Sequence, residues 1–577
     1  NKDLFDTEYK KLPLDTKYFS ADFKEQLLEN LTQNHNLDDI LDGLLIKSEN
    51  WQALNTILSK YKEKIQTIYI DPPFNKEQDA DFLYNVKYKD STWASLLENR
   101  LWVSKNQLSD KGSIFVRCDY NGNWLVRSLM NEIYGEENFR NEIGIGRTKT
   151  APYIGTSPEK AGVNFKALMV VYDNIYLYSK SEKFFNKFSE GIIEEEREAY
   201  WKDFKTFFDR DYNRYELFGI IPEKGCSWMW RKEVANEAIE NYKEYIKESN
   251  HTGISLNDYW EKKGRRLNFI KTERNTIKYW VAPSKKVSHN NWTELEGYGR
   301  KWSFPTENSE ILLKRVIEST SKRGDFVMDY FLGSGTTTAV AHKLGRKWIG
   351  IEMGDHFWTV IMPRMKKVLF YDKSGISKEK DVKEKYNERE AGGFFQYQVL
   401  EQYEDTLDNL EINNIENEQM ELVFGDKYLL RYFLEYETRD NPSLLNIDQL
   451  KNPFSYKLKV NLEEVGEPEE IVVDLPETFN YLLGLKVKKS KVRNSGRKYL
   501  FIDGEKDNNE IAIVWRENDE NWVEEDYRKD KDFITEQIRD WSPKVVYING
   551  QSILTRDFKD FRADIRSIES EFKRLMG

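Results

Sequence analysis

Asp71-Pro72-Pro73-Phe74 puts a carboxylate, a stiffened backbone carbonyl and an aromatic face into one short stretch. An exocyclic aromatic amine is a poor nucleophile because its lone pair is delocalised into the ring. Two acceptors that take its two N–H bonds draw the nitrogen toward tetrahedral geometry and restore that lone pair. Asp71 supplies a carboxylate and Pro72 a carbonyl, the tandem prolines fix both acceptors, and Phe74 offers a face on which an extruded base can stack. Alone, the same residues also suit a rigid turn after a strand, with the acid capping a helix.

A second constellation is Asp329-Tyr330-Phe331-Leu332-Gly333-Ser334-Gly335-Thr336-Thr337. Glycines at a strand-to-helix turn let a cofactor approach the backbone, and a helix start offers unpaired N–H groups. Glu352 follows Asp329 by 23 positions, close to the roughly 20-residue spacing at which an acid grips ribose hydroxyls. Position 338 is Thr, where a dinucleotide fingerprint has its third glycine, and a carboxylate at Asp329 would repel a pyrophosphate. An acid there suits a nucleoside cofactor that carries an ammonium and no phosphate, namely S-adenosylmethionine. Taken singly, this loop also fits a tight structural turn.

Both motifs need strands behind them. Leu44-Leu45-Ile46, Thr67 to Ile70, Ser113 to Cys118, Phe326-Val327-Met328 and Lys347 to Ile351 read as short buried strands. Helical patterns follow through Trp51, Leu54, Ile57 and Leu58, from Ser91 to Leu108, from Trp124 to Tyr134, from Ile311 to Ser319 and from Thr336 to Leu344. The alternation predicts a parallel α/β sheet, a Rossmann-like α/β sheet that residues 141–302 split in two. That insert has poor periodicity, dense aromatics and scattered glycines, and reads as loop-rich. The segments expected are an extension over 1–37, the α/β domain over 38–140 and 303–372, the insert, a charged linker over 373–411, and a C-terminal α+β domain over 412–577. Strands are expected there at Tyr499 to Ile502 and Ile511 to Trp515, and a charged helix at the end.

The chain has 577 residues and a net charge of -11. Asn141 to Arg300, nearly all of the insert, departs from that balance with about 27 basic and 24 acidic residues, so the remainder carries roughly -14. Its most basic stretch holds Lys262, Lys263, Arg265, Arg266, Lys271, Arg274, Lys278, Lys285 and Lys286, interleaved with Phe269, Tyr279 and Trp280. Such residues can meet phosphates or guanine edges and stack on bases, or form a solvated face over an aromatic core. Cys118 and Cys226 are the only cysteines, outside any metal-ligand spacing, and read as packing residues in a reducing cytosol. His251, His289, His342 and His356 read as surface or packing residues, so no metal site is expected. Neither a leader nor a membrane-length apolar run is evident, and a cytoplasmic protein is expected.

At these motifs the chain resembles the amino-methyltransferases of DNA, in which Asp-Pro-Pro-Tyr and Phe-x-Gly-x-Gly mark the target-amine and cofactor sites. The order, with Asp71 to Phe74 ahead of the Gly333 loop, is similar to the beta class, and within it to the Mod subunits of type III restriction-modification systems. Ile68 to Asp119, Ala391 to Phe395, Glu401 to Asp405 and Ser570 to Met576 carry the likeness. Phe74 stands where the family usually has Tyr and Leu332 where it usually has a small residue. Pro305-Thr306 keeps one family pair while lacking the family's Lys-Pro.

The resemblance implies transfer of a methyl group from S-adenosylmethionine to adenine N6 in double-stranded DNA by base flipping. Asp71, Pro72, Pro73 and Phe74 would be catalytic. Asp329, Phe331, Gly333, Ser334, Gly335, Thr336, Thr337, Glu352, Pro305 and Thr306 would hold the cofactor. The insert would read the target, with Lys262, Lys263, Arg265, Arg266, Lys271, Arg274 and Lys278 on DNA. A homodimer is implied, with a restriction subunit of helicase-nuclease type as a further partner. Competing readings are a cytosine N4 enzyme, an RNA methyltransferase, an orphan methyltransferase without a nuclease partner, and a silent DNA-binding subunit.

Overall fold

The computed structural model describes residues 12–73, 89–147, 170–183, 193–287, 289–299, 301–302, 304–402, 405–406, 409, 450–461, 467–519 and 521–576. Two compact units emerge, one of residues 1–186 and 290–577 and one of residues 187–289.

The first unit is built on a nine-stranded sheet. Numbered in chain order, its strands are β1 (Gly43–Lys47), β2 (Ile65–Ile70), β3 (Leu108–Cys118), β4 (Phe139–Gly146), β5 (Tyr172–Ser179), β6 (Asn291–Glu296), β7 (Phe326–Asp329), β8 (Lys347–Glu352) and β9 (Phe395–Val399). Their spatial order is β6-β4-β5-β3-β2-β7-β8-β1-β9. From β3 to β9 every pairing is parallel. Parallel strands covered on both faces read as unbroken apolar runs, and β1 is buried along its whole length. The helices Asn50–Tyr61, Asp90–Gln107 and Asn123–Tyr134 cover one face through Leu54, Ile57, Leu97, Leu101, Val126 and Met130.

β2 leads to β3 on one side, while β7 leads to β8 on the other. The crevice at such a reversal, beyond the carboxyl ends of the strands, is where open α/β sheets hold ligands. Asp71 follows the last residue of β2 and Asp329 is the last residue of β7, so the two motifs flank that crevice.

The expected segment boundaries shift. Three strands assigned to the 141–302 insert belong to the sheet: β5 pairs antiparallel with β3, β4 with β5, and β6 runs parallel to β4. The inserted unit is therefore the shorter 187–289. The expected linker 373–411 supplies β9, the edge strand beside β1. There Gln396 donates to Glu477 (2.9 Å) and accepts from Tyr481 (3.2 Å), seating the helix Leu475–Leu483.

That helix follows the antiparallel pair Lys457–Val460 and Glu469–Val472 in the C-terminal region, where a further sheet runs Lys486–Asn494, Lys498–Lys506, Asn509–Arg516, Val545–Ile548 and Asp564–Ser567 in sequential order. Phe479, Ile513, Trp515 and Phe572 pack on one side and Phe501, Val514, Ile534 and Ile538 on the other. The expected N-terminal extension is part of this assembly: its helix Ala21–Thr32 brings Glu29 to Arg493 in a bidentate pair at 2.8 and 2.9 Å. No described helix is long and apolar enough to cross a membrane.

The 187–289 unit is more regular than its sequence suggests. It contains a 21-residue helix, Lys232–Thr252, ended by Gly253 in the left-handed region. A three-stranded antiparallel sheet joins Ile270–Glu273, Thr276–Val281 and Tyr200–Asp203.

Candidate active site

The acid of the first motif sits in a buried network of charges. Asp71 Oδ2 accepts from Asn308 Nδ2 at 3.0 Å and lies 3.5 Å from Arg117 Nη1. No described residue bonds Oδ1. Asn308 Oδ1 in turn accepts from Arg117 Nη1 (2.5 Å) and from the Tyr69 hydroxyl (3.1 Å). With two donors on its oxygen, the amide cannot be turned round, and its NH2 must face Asp71. Arg117 Nη2 donates to Asp173 Oδ2 at 2.8 Å, and the guanidinium lies over the Tyr298 ring, 4.2 Å from its centroid. Arg147 closes the array on Asp173 (2.6 Å) and Asp119 (3.5 Å).

Burial raises the Asp71 carboxyl pKa from its ordinary value. Arg117 and the Asn308 bond pull it back, and Asp173 and Asp119 add to the rise. Pro73 is anchored through its carbonyl, which accepts from Trp93 Nε1 at 2.8 Å. Phe74 lies outside the described residues. Arg117, Asn308 and Trp93 were not singled out from the sequence, yet they hold the motif.

Across the crevice, Gly333 (φ 55°) and Gly335 (φ 77°) both take left-handed backbone, which admits glycine without a steric penalty. Gly335 precedes the helix Thr336–Lys343. Glu352, at the end of β8, accepts from Gly333 N–H (2.8 Å) through Oε2 and from Met353 and Gly354 N–H (2.9 and 3.0 Å) through Oε1. Burial alone would raise its pKa, but His356, 3.4 Å from Oε2, and the Gly354 and Gly333 N–H groups hold it below the ordinary glutamate value. A carboxylate has about four acceptor positions, so capacity remains for an incoming hydroxyl.

Asp329 was expected to face a ligand ammonium, and the structure turns it inward. It is 2 % exposed, accepting from Phe331 N–H (3.0 Å) and the Thr337 hydroxyl (2.6 Å). Burial raises its pKa to about 7 against those two bonds, with Asp71 and Glu352 adding to the rise. It shapes the loop from within. Ser334 and Thr336 share a hydroxyl contact at 3.0 Å, and buried Arg364 bonds the Ser334 carbonyl (3.2 Å) and the Thr336 hydroxyl (2.8 Å) from beneath. Phe331 is half-buried against Tyr330, with ring centroids 5.4 Å apart. Pro305 is exposed and Thr306 half-buried in a turn between two residues that touch both halves of the site. Phe304 faces Gly333, where a Cβ would lie 3.5 Å from its ring, and Asn308 reaches Asp71.

The basic residues fall in the 187–289 unit. Lys271 and Lys278 stand opposite each other across the Ile270–Glu273/Thr276–Val281 hairpin, with Glu273 at 3.1 and 3.7 Å, and Arg274 sits at its turn. Lys262 pairs with Glu248 (2.8 Å) and Arg265 with Glu261 (2.6 Å); Lys263 lies over Tyr259, and Arg266 is exposed. Phe269 and Trp280 are core residues of this unit and Tyr279, half-buried, packs against its neighbouring cluster. The side chains of Lys285 and Lys286 lie outside the described residues. Cys118 and Cys226 are buried.

An acid-Pro-Pro turn and a glycine loop flank the crevice of one α/β sheet, and comparison with known proteins gives the family of this arrangement. The family model of DNA methylases matches residues 65–363, and the chain belongs to that family. It is 28% identical over 476 residues to the HindVI Mod subunit, a type III restriction-modification protein of Haemophilus influenzae Rd, covering 72% of this chain and 61% of that one. The EcoPI Mod subunit of Escherichia phage P1 is 22% identical, with 56% and 58% covered. M.EcaI of Enterobacter cloacae, a type II methyltransferase, is 25% identical, with 54% and 67% covered. The chain spans about three-fifths of the length of the two Mod relatives. Among solved structures, the cytosine-N4-specific PvuII DNA methyltransferase matches at 13% identity, covering 62% of this chain and 94% of that one with a TM-score of 0.30.

Proposed function

We propose that this chain is an S-adenosylmethionine-dependent DNA methyltransferase that modifies adenine N6, and that it serves as the modification subunit of a type III restriction-modification system. The observation that carries the reading is Asp71, whose Oδ2 is tied down by Asn308 and Arg117 while no described residue bonds Oδ1. The family membership and the two Mod relatives support it.

The cofactor cradle fits on its donor set. The residues at the glycine turn are acids, hydroxyls and N–H groups, and the one guanidinium beneath, Arg364, is paired with Glu307 (3.3 Å) and Glu310 (3.2 Å). That suits a cofactor without phosphates. Glu352 would take the ribose hydroxyls, with Phe331, Gly333 to Thr337 and the Pro305-Thr306 turn around the rest. When bound, S-adenosylmethionine supplies an electrophilic methyl group.

Asp71 Oδ1 and the Pro72 carbonyl would accept the two N–H bonds of the extruded base and concentrate the lone pair on its nitrogen. As the N–C bond forms, the amine sheds a proton, and Asp71 is a base already in contact with that N–H. Lys262, Lys263, Arg265, Arg266, Lys271, Arg274 and Lys278 would meet the DNA backbone. The oligomer we infer is a homodimer, the commonest closed assembly.

The test is radiolabelled methyl transfer to duplex DNA, followed by digestion and mass spectrometry of the nucleosides. N6-methyladenine from the wild-type chain and none from Asp71→Ala, with cofactor binding kept, is the expected result. N4-methylcytosine would replace the base assignment, and transfer by Asp71→Ala at the wild-type rate would overturn the mechanism.

A further inference from the structure

Arg117 is a fully buried cation beside Asp71, and amine activation does not by itself require it. It is the penultimate residue of β3 with no exposed surface, and the carboxylate it leans on most closely, Asp173, is equally buried at 2.8 Å. A guanidinium is rarely placed in a sheet interior without good hydrogen bonds, because desolvation costs several kcal/mol per ion. Here its bonds fix one outcome: Nη2 is anchored on Asp173 of β5, while Nη1 bonds the Asn308 carbonyl and faces Asp71.

We propose that Arg117 and Asn308 are positioning residues that keep Asp71 ionised and rotated with Oδ1 toward the amine. The inference rests on the methyltransferase reading above. Asp71 follows a strand enclosed by β3 and β7, where a neutral carboxyl would be the cheaper form. Protonated on Oδ1, the oxygen that Asn308 and Arg117 leave open, it would turn an O–H donor against the amine's own donors and could not take up the amine's proton.

Among the described residues, few groups face Asp71. Arg117 and Cys118 come from β3 and Asp119 directly follows it, Asp173 comes from β5 and Asp329 from β7; Tyr298 and Asn308 come from the segment before β7, Tyr69 from β2, and Arg147 lies beyond Asp173. The acids and phenols among them disfavour a second negative charge, so the ionised state depends on Arg117 and the Asn308 N–H.

The experiment is the pH profile of kcat for the full-length protein, wild type against Arg117→Gln, with KM for S-adenosylmethionine measured in parallel. The acidic limb should move up by about one unit or more in the variant, a roughly tenfold loss at pH 6 that narrows at pH 8.5, with KM unchanged. Arg117→Lys should restore part of the low-pH activity. If Arg117→Gln does not fold, Asn308→Ala decides the matter, since it removes the only amide donor on Asp71 among the described residues and should shift the same limb. A uniform loss at all pH values with an unmoved limb, or no loss at all, overturns the proposal. Wild-type protein that transfers no methyl group, or Asp71→Ala that transfers normally, would instead bring down the methyltransferase reading beneath it.

Discussion

Leu332 occupies the space that any side chain at Gly350 would need. A Cβ at Gly350 would lie 2.6 Å from Leu332 Cδ2 and 2.8 Å from Thr338 Cγ2. Leu332 is the bulky residue of the glycine loop and Gly350 belongs to β8, the next strand. The larger residue in the loop is thus matched by the absence of one on the strand.

From that complementarity, Gly350→Ala should destabilise the protein by about 1 to 3 kcal/mol through overpacking. In a Leu332→Ala background, itself destabilised by about 2 to 5 kcal/mol, the same substitution should cost less, because the methyl then enters vacated space. Urea unfolding of wild type, both single variants and the double variant measures this coupling. Equal stability of Gly350→Ala and wild type would mean that the loop yields freely.

Glu352 ties the glycine loop to β8 through its bond from Gly333 N–H and is the proposed ribose acceptor. Glu352→Ala should therefore weaken S-adenosylmethionine binding by about 1 to 3 kcal/mol, the range for losing charge-assisted hydrogen bonds. Isothermal calorimetry decides it. An unchanged affinity would move the ribose contact elsewhere.

Asp329 supplies a pH prediction with a definite sign. Its folded pKa is raised to about 7 from 3.8, so between those values the folded state binds a proton that the unfolded state has released. Stability from this group is present below about pH 4 and is lost as pH rises toward 7. Asp329→Asn cannot ionise, so it should melt above wild type at pH 8, with the gap closing toward pH 4. Melting curves of the cofactor-free protein test it, and a gap that is independent of pH would reject the assignment.

Much of this site was legible because its supports are local. β2, β7 and β8 are short apolar runs stopped by Pro72, by Gly333 and by Gly354, and such runs have few alternatives to buried parallel strands. Arg117 and Asn308 were not legible: they meet across 191 positions, and the single clue was one cation inside the apolar run Ile114 to Cys118. Three strands of the sheet were hidden in the insert because β4, β5 and β6 are rich in Asn, Tyr, Gly and Glu, as edge-side strands can be. The helix Lys232–Thr252 was missed for another reason. Its buried stripe is made by Ala235 and Ala238, flanked by half-buried tyrosines, and small or amphipathic residues give a faint apolar period.

The basic residues of the 187–289 unit allow the DNA reading to be tested site by site. Lys262 and Arg265 are exposed and each pairs with an acid, Lys262 with Glu248 of the preceding helix and Arg265 with Glu261 four positions earlier. Exposed pairs of this kind are worth about 0 to 1 kcal/mol, so a phosphate can displace the acid readily. Replacing Lys262, Lys263, Arg265 and Arg266 together by Ala should therefore weaken duplex binding and flatten its dependence on salt. Each lost phosphate contact lowers the log-log slope by about 0.9. Glu248→Gln with Glu261→Gln should do the opposite, releasing two cations and tightening binding at low salt. Fluorescence anisotropy across a salt series, with melting curves as a control on folding, separates the two effects. If neither set of substitutions alters the slope, these cations form only a solvated face, and the contacts must be sought at Lys271, Arg274 and Lys278 on the hairpin.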